Sequence, residues 1–192
     1  MNKLLIAGCG GHAKSVIDII ESQDIWKIQG LVGTKEELHK TLMGYSVVGC
    51  DDDLENLSKI CHSIIIGIGQ IKDPTPRIKV AQLIKTLKFN IPIIVSSNSY
   101  VSKHCKIGEG TLVSHGTIVN ADSHVGRHCI LNSNCLIEHD VSIGDFCHIS
   151  TGVLINGSVK IGDRSFVGSG AIIREGVVIP PGSIISAGKR VM

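Results

Sequence analysis

From Val101 onward the chain carries an aliphatic residue at every sixth position without a miss: Val101, Ile107, Val113, Val119, Val125, Leu131, Ile137, Ile143, Ile149, Ile155, Ile161, Val167, Ile173, Ile179, Ile185 and Val191. A helix repeating every 3.6 residues, or a heptad, falls out of phase with that spacing within two turns, and a flat strand alternates every two residues. Neither describes this half of the chain. A period of six asks for one short strand and one turn per repeat.

A second ladder runs two residues behind the first and is filled by small or slim side chains: Cys105, Thr111, Thr117, Ser123, Cys129, Cys135, Val141, Cys147, Val153, Val159, Ser165, Ala171, Val177 and Ser183, breaking only at Lys189. The residue after each aliphatic is often glycine or a turn former, as at Gly108, Asn120, Gly126, Asn132, Gly144, Gly162 and Gly168. These glycines and asparagines are expected to take the turn conformation that branched residues resist. This is the hexapeptide-repeat pattern, in which three strands close one coil of a triangular parallel β-helix. Both ladders then face inward, and the repeats give roughly five coils. Resemblance to known hexapeptide proteins implies a left-handed coil.

The ladder starts sharply near residue 100 of 192, which predicts two domains, 1–96 and 97–192. A net charge of +2 from 19 basic and 17 acidic residues leaves no nucleic-acid footprint. Aromatic content of 3% is too low for base-stacking platforms. No apolar run approaches the roughly 18 residues of a membrane helix, and Met1 to Ala7 reads as a strand rather than a signal segment. Four of the seven cysteines fall on the slim ladder, no CxxC pair occurs, and the expected compartment is the cytoplasm.

In the first hundred residues an apolar strand, Lys3 to Ala7, runs into Gly8-Cys9-Gly10-Gly11-His12-Ala13 and then into the helical pattern Val16, Ile17, Ile19, Ile20. Strand, glycine turn, helix is a phosphate-cradling arrangement. Further strands are predicted at 28–32, 45–48, 63–68 and 91–95, with helices between them, notably over 77–87, so this part reads as a small Rossmann-like parallel α/β domain. The turn fits G-x-G-x-x-A, but dinucleotide binding also asks for an acid about 20 residues on, and the second strand ends Leu31-Val32-Gly33-Thr34. A nucleotide-linked ligand fits better than NAD, and a purely structural turn is the remaining reading. His12 could donate to a phosphate or sugar oxygen. A second strand-end turn, Gly67-Ile68-Gly69, is expected to share the crevice with Gly10.

On the β-helix the densest chemistry is Glu138-His139-Asp140, two residues past an inward rung at a corner. A carboxylate beside an imidazole orients the ring and raises its basicity, as a general base near neutral pH requires. His148 follows half a coil later, while His104, His115, His124 and His128 are expected to be solvated surface side chains.

Gly8 to His12, Gly67-Ile68-Gly69 with Arg77, and Ile137-Glu138-His139-Asp140 continuing to His148-Ile149-Ser150 together resemble the PglD/NeuD-type sugar acetyltransferases. The resemblance spans nearly the whole chain. It implies an N-terminal domain that holds a sugar nucleotide and a left-handed β-helix that forms homotrimers and binds acetyl-CoA between subunits. It further implies that His139 is the base and Asp140 raises its basicity, that His148 contacts acetyl-CoA with backbone near Ser169 and Ala187 lining the groove, and that Gly10, Gly11, His12 and Gly69 hold the sugar nucleotide. Members acting on UDP-4-amino sugars carry Asp after the second strand, where this chain has Gly33-Thr34. Members also carry a Gly-x-Pro-Ala-Lys-like segment near the end, where this chain reads Ser186 to Met192, with Lys189 and Arg190 offered to the coenzyme phosphates. The expected reaction is N-acetylation of a nucleotide-linked amino sugar in cell-surface glycan synthesis, with no metal, no nucleic acid and no membrane insertion. O-acetylation of a sialic-acid-like sugar is the alternative. A zinc enzyme using His124, His128 and His148 and a non-catalytic scaffold are the other classes.

Overall fold

Leu4, Leu5, Ile6 and Ala7 offer water no polar side chain, and in the computed structural model, which describes residues 1–192, they form the buried centre of a parallel sheet. Their strand, β1 (Asn2–Ala7), pairs in parallel with β2 (Trp26–Gly33) on one side and β5 (Ile64–Ile66) on the other. β2 pairs in turn with β4 (Tyr45–Cys50), and a short antiparallel strand, β3 (Thr41–Leu42), closes that edge. The antiparallel edge departs from the expected alternation of strand and helix. Between β2 and β4 the chain makes a 3-10 turn, Lys35–Glu37, and β3 but no α-helix, because apolar residues at helical spacing are missing there. Helix α1 (Gly11–Glu21) buries Ala13, Val16, Ile17, Ile19 and Ile20 in the periodicity its sequence dictates. α2 (Leu54–Ser58) is short, and α3 (Thr75–Thr86) buries Arg77, Val80, Ala81 and Ile84.

The second half is a β-helix of two-residue strands, from Ile94–Val95 to Arg190–Val191, in six-, five- and six-stranded parallel sheets that form three walls. Partners across each wall are one coil apart, as in Ile118 with Leu136 and His124 with Ser142. The expected 91–95 strand is only Ile94–Val95, and it pairs with Leu112–Val113, so the ladder begins one rung earlier than Val101. By internal packing the chain divides into Met1–Gly69 with Thr75–Pro92, and Gln70–Pro74 with Ile93–Met192.

Ile137, Ile149, Ile155 and Ile173 are fully buried rungs of one continuous core, and Val125, Leu131 and Ile143 join them. Each such side chain contributes about 1.5–3 kcal/mol by leaving water. The slim ladder does more than save space. Thr111, Thr117 and Ser123 donate their hydroxyls to the carbonyls of Gly126, Asn132 and Glu138 at 2.7–2.8 Å. The thiols of Cys129 and Cys147 reach those of Gly144 and Gly162 in the same way, at 3.0 and 3.2 Å. Each donor satisfies a corner carbonyl of the next coil, which is why short polar side chains are tolerated in a dry interior.

The corners correct the expectation about glycine. From Ile107 onward the left-handed conformation falls three residues after each rung, not one, and is taken by Asp122, His128, Asn134, Asp140, Phe146, Ser158 and Arg164 as readily as by Gly110, Gly116 and Gly152. The glycines directly after the rungs are there for coil spacing. A Cβ on Gly162 would lie 2.4 Å from the backbone nitrogen of Pro181, and one on Gly168 would lie 2.5 Å from that of Ala187.

Candidate active site

Three residues leave the wall after Ile137 and turn the corner. Glu138 accepts from Asn120 Nδ2 at 3.0 Å, which ties its carboxylate to the preceding coil. Asp140 sits in the left-handed region with φ 61°, and its N–H is held by Ala121 O at 3.1 Å. That backbone turn swings the Asp140 carboxylate back onto its neighbour: Oδ2 lies 2.7 Å from His139 Nδ1. A carboxylate at Nδ1 fixes the hydrogen there and leaves Nε2 with its lone pair. The hydrogen bond that His139 donates to Asp140, aided by the charges of Asp140 and Glu138, lifts the His139 pKa above the ordinary histidine value. The His139 and Asp140 side chains are 63% and 56% exposed, so the pair is open to solvent.

Gly157, one coil on, supplies the room. A Cβ there would come within 2.8 Å of His139 Cε1 and 3.0 Å of Nε2, so the imidazole lies over a bare backbone. Sequence reasoning missed Gly157, whose signal was its place eighteen residues after His139.

His148 stands on the next but one wall segment, on the strand His148–Ile149. It is buried, with Nδ1 on the carbonyl of Gln70, Nε2 3.4 Å from Asn132 Nδ2, and its ring edge against Phe166. Ser169 and Ala187 are exposed and lie at equivalent corner positions of successive coils; Ser150 Oγ meets Ser169 Oγ at 2.9 Å, and Gly188 N donates to Ser169 O at 2.8 Å. His128, expected to be a solvated surface residue, is instead buried and stacked on Phe146 at 4.8 Å, because its own left-handed turn folds the ring over the next coil. His124 is exposed and bonded to Asp122 O, and His115 meets Ser96 Oγ. His124, His128 and His148 do not gather within one chain into a group able to hold a metal.

In the α/β unit the two glycine turns touch. Gly8 has φ +122°, and a Cβ on it would lie 2.9 Å from Ile68 Cγ1 and 3.0 Å from the Gly67 carbonyl carbon. Gly10 caps α1 without any side-chain bond, and neither Gly10 nor Gly11 has an atom within 4 Å of its missing Cβ. The result is an open helix N-terminus of the kind that receives a phosphate. His12 is half-buried there and packs on Gly69, whose missing Cβ would lie 3.3 Å from His12 Cβ. Arg77 is 1% exposed and braces the second turn from within, donating to Ile68 O at 2.5 Å.

The first acids after Gly33-Thr34 are Glu36 and Glu37, in the turn beyond the strand. Glu37 folds back to accept from Thr34 N at 2.9 Å, and its carboxylate also engages the Cys9 thiol. Burial and then that carboxylate push the Cys9 pKa up to about 11. The Thr34-x-x-Glu37 capping box was the available sequence signal.

The model of the PglD N-terminal domain matches residues 3–102, and that of the hexapeptide repeat of succinyl-transferase matches 123–156 and 158–189. No curated protein matches the chain in sequence. Among solved structures, the chain is similar to a histidine-to-asparagine variant of perosamine N-acetyltransferase from Caulobacter crescentus in complex with CoA and GDP-perosamine. The identity is 28%, over 100% of this chain and 89% of that one, with a TM-score of 0.93. The acetyltransferase domain of PglB from Neisseria gonorrhoeae is 26% identical over 100% and 92% of the two chains, with a TM-score of 0.91. WeeI from Acinetobacter baumannii, at 22% identity over 99% and 96% and a TM-score of 0.76, shares the fold.

Proposed function

The chain belongs to the PglD/NeuD-type sugar acetyltransferases, acyltransferases built on a left-handed β-helix, and from that premise we propose that it moves the acetyl group of acetyl-CoA onto the amino group of a nucleotide-linked sugar. The observation that carries this is the exposed His139–Asp140 pair, whose geometry places the hydrogen of the neutral ring on Nδ1 and makes Nε2 the basic nitrogen. His139 Nε2 takes a proton from the sugar ammonium, and the freed nitrogen lone pair forms a bond to the acetyl carbonyl carbon. The attacking nitrogen, which still carries two hydrogens, gives one up to solvent, the C–S bond breaks, and the departing sulfur takes the first proton back from the imidazolium. No cysteine nucleophile enters. Asp140 stabilises the imidazolium while the proton is in transit.

The solved relatives carrying CoA and GDP-perosamine, or acetyl coenzyme A, support these two substrates. The open start of α1 with Gly10, Gly11, His12 and Gly69 suits the diphosphate of a sugar nucleotide, and His148, Ser169 and Ala187 suit the acetyl donor. The unit holding residues 1–69 would then bind the nucleotide and the β-helix would carry the transfer. A homotrimer is supported by one wall whose outward side chains, Tyr100, Ile118, Leu136, Leu154 and Ile172, form an apolar column, with Tyr100 59% and Ile118 40% exposed. Such a column is what a second copy covers. No helix is long and apolar enough to cross a membrane. All seven cysteines are free, which suits the cytoplasm.

The test is thiol release from acetyl-CoA with a panel of GDP-, UDP- and dTDP-linked amino sugars and free sialic acids. Release with a nucleotide-linked amino sugar, abolished by His139→Ala, is expected. Release with sialic acid alone would replace N-acetylation by O-acetylation.

A further inference from the structure

His148 faces outward from its wall yet is 7% exposed, and each ring nitrogen meets a group whose role is fixed. The carbonyl of Gln70 can only accept, so Nδ1 carries the hydrogen. Asn132 cannot turn its amide over, because its Oδ1 already takes the N–H of Ser133 at 2.8 Å; its NH2 therefore points at Nε2 and donates. Both contacts select one neutral tautomer.

Gln70 lies 76 and 78 residues from Phe146 and His148 in sequence, but grips this strand at two points. Its main chain takes the His148 proton. Its side-chain Nε2 donates to Phe146 O at 2.9 Å, two residues before the histidine. The residue is 3% exposed and its Oε1 has no hydrogen-bond partner, an arrangement that costs the fold stability. A buried amide kept under those terms is explained by what it holds in place. Gln70 to Pro74 also packs with the β-helix and not with the α/β unit that flanks it in sequence.

We propose that Gln70 is a positioning residue for the transfer reaction: its two-point hold keeps His148 in the Nδ1–H tautomer, so Nε2 is an acceptor. His148 then meets an amide N–H or the sulfhydryl of the coenzyme, in exchange for the long Asn132 contact, and does not polarise the thioester carbonyl. This rests on the role proposed for His148 in holding the acetyl donor.

The experiment is two-bond 1H–15N correlation NMR of the whole protein labelled at histidine, with His148 assigned by its loss in His148→Ala, beside steady-state kinetics. Wild type is expected to show the neutral Nδ1–H pattern near pH 7. Gln70→Met keeps the shape and removes the donor to Phe146 O. It is expected to fold at least as well, to mix the tautomers, and to raise the KM for acetyl-CoA about 5- to 10-fold with kcat and the sugar KM little changed. In Gln70→Glu the carboxylate cannot donate but the protonated acid can, so the acetyl-CoA Kd should return toward wild type as pH falls. An Nε2–H or doubly protonated His148 in wild type overturns the clamp while leaving the role of His148 standing. So does a wild-type tautomer and KM in Gln70→Met. If His148→Ala binds acetyl-CoA as tightly as wild type, the coenzyme half of the proposal falls together with that role.

Discussion

Replacing Gly157 with alanine should separate activity from stability. The backbone of Gly157 is not in the left-handed region, so alanine fits its conformation, and the change should stabilise the fold by up to about 0.4–1 kcal/mol through the unfolded chain. The new methyl would sit 2.8, 3.0 and 3.4 Å from His139 Cε1, Nε2 and Nδ1. Ordinary carbon contacts begin near 3.5 Å, so the ring must withdraw by about 0.7 Å or swing away altogether. With 63% of the side chain in solvent it can do so cheaply, but not without loosening the 2.7 Å bond to Asp140. A displacement approaching 1 Å at a reacting group can cost on the order of 100-fold, so kcat/KM should fall about 10- to 100-fold, while Tm holds or rises by a few degrees. Thiol-release kinetics on the true acceptor and a thermal melt measure the two quantities. Combining the change with His139→Ala should add little further loss, because both act on one group. A Gly157→Ala enzyme within twofold of wild type, or one that melts several degrees lower, would refute the argument that this glycine exists to seat the imidazole.

His139→Ala should lose about 100-fold or more in kcat/KM with acetyl-CoA binding retained, measured by kinetics and calorimetry. Activity should rise with pH as His139 loses its proton, and because the Asp140 hydrogen bond raises that pKa, Asp140→Asn should move the acid limb to lower pH while reducing the plateau rate. The same raised pKa means any stability from the His139–Asp140 pair is present below the unfolded histidine pKa and fades as pH rises through the folded one. His148→Ala should raise the KM for acetyl-CoA more than it lowers kcat. If the chain sediments as the proposed trimer, Leu136→Glu, which puts a charge in the middle of the apolar column, should shift it toward monomer without unfolding the chain; an unchanged trimer would move the interface to another wall.

The prism was legible because its rule is rigid: an aliphatic at every sixth position leaves one way to bury them all, and Ile137, Ile149 and Ile155 are fully buried where the ladder puts them. The rung at Val95 is masked in the sequence because the apolar run Ile91 to Val95 has the pattern of a single strand, of which only Ile94–Val95 forms. The corners hold two kinds of constraint only two residues apart. Close stacking demands glycine after a rung, as at Gly162 and Gly168, while positive φ two residues later accepts His128, Phe146 and Arg164. Composition alone attributes both to turns. Glu37 was hidden by counting along the strand when the carboxylate returns through a 3-10 turn. Gln70 had no signal at all, since no local pattern announces a contact with a residue 78 positions away.

The left-handed corner position explains why the His139–Asp140 pair is where it is. A side chain at φ 61° projects back toward its own predecessor, so an aspartate there reaches the ring of the preceding residue with no help from tertiary structure. The same step taken by Asp122 and Ser158 puts no carboxylate on an imidazole, because Ala121 and Gly157 precede them. Those two small neighbours are also what His139 requires above and below it: Ala121 O holds the Asp140 N–H, and Gly157 leaves the ring its space. A repeating scaffold thus yields one reactive corner by varying a single column of side chains, Ala121, His139 and Gly157, while the neighbouring columns keep the coil spacing. The stiffness of the core beneath, from Val119 through Ile137 to Ile155, fixes the height of that column. The imidazole therefore needs only two local devices, a carboxylate at Nδ1 and an absent methyl under the ring, to be held in this position.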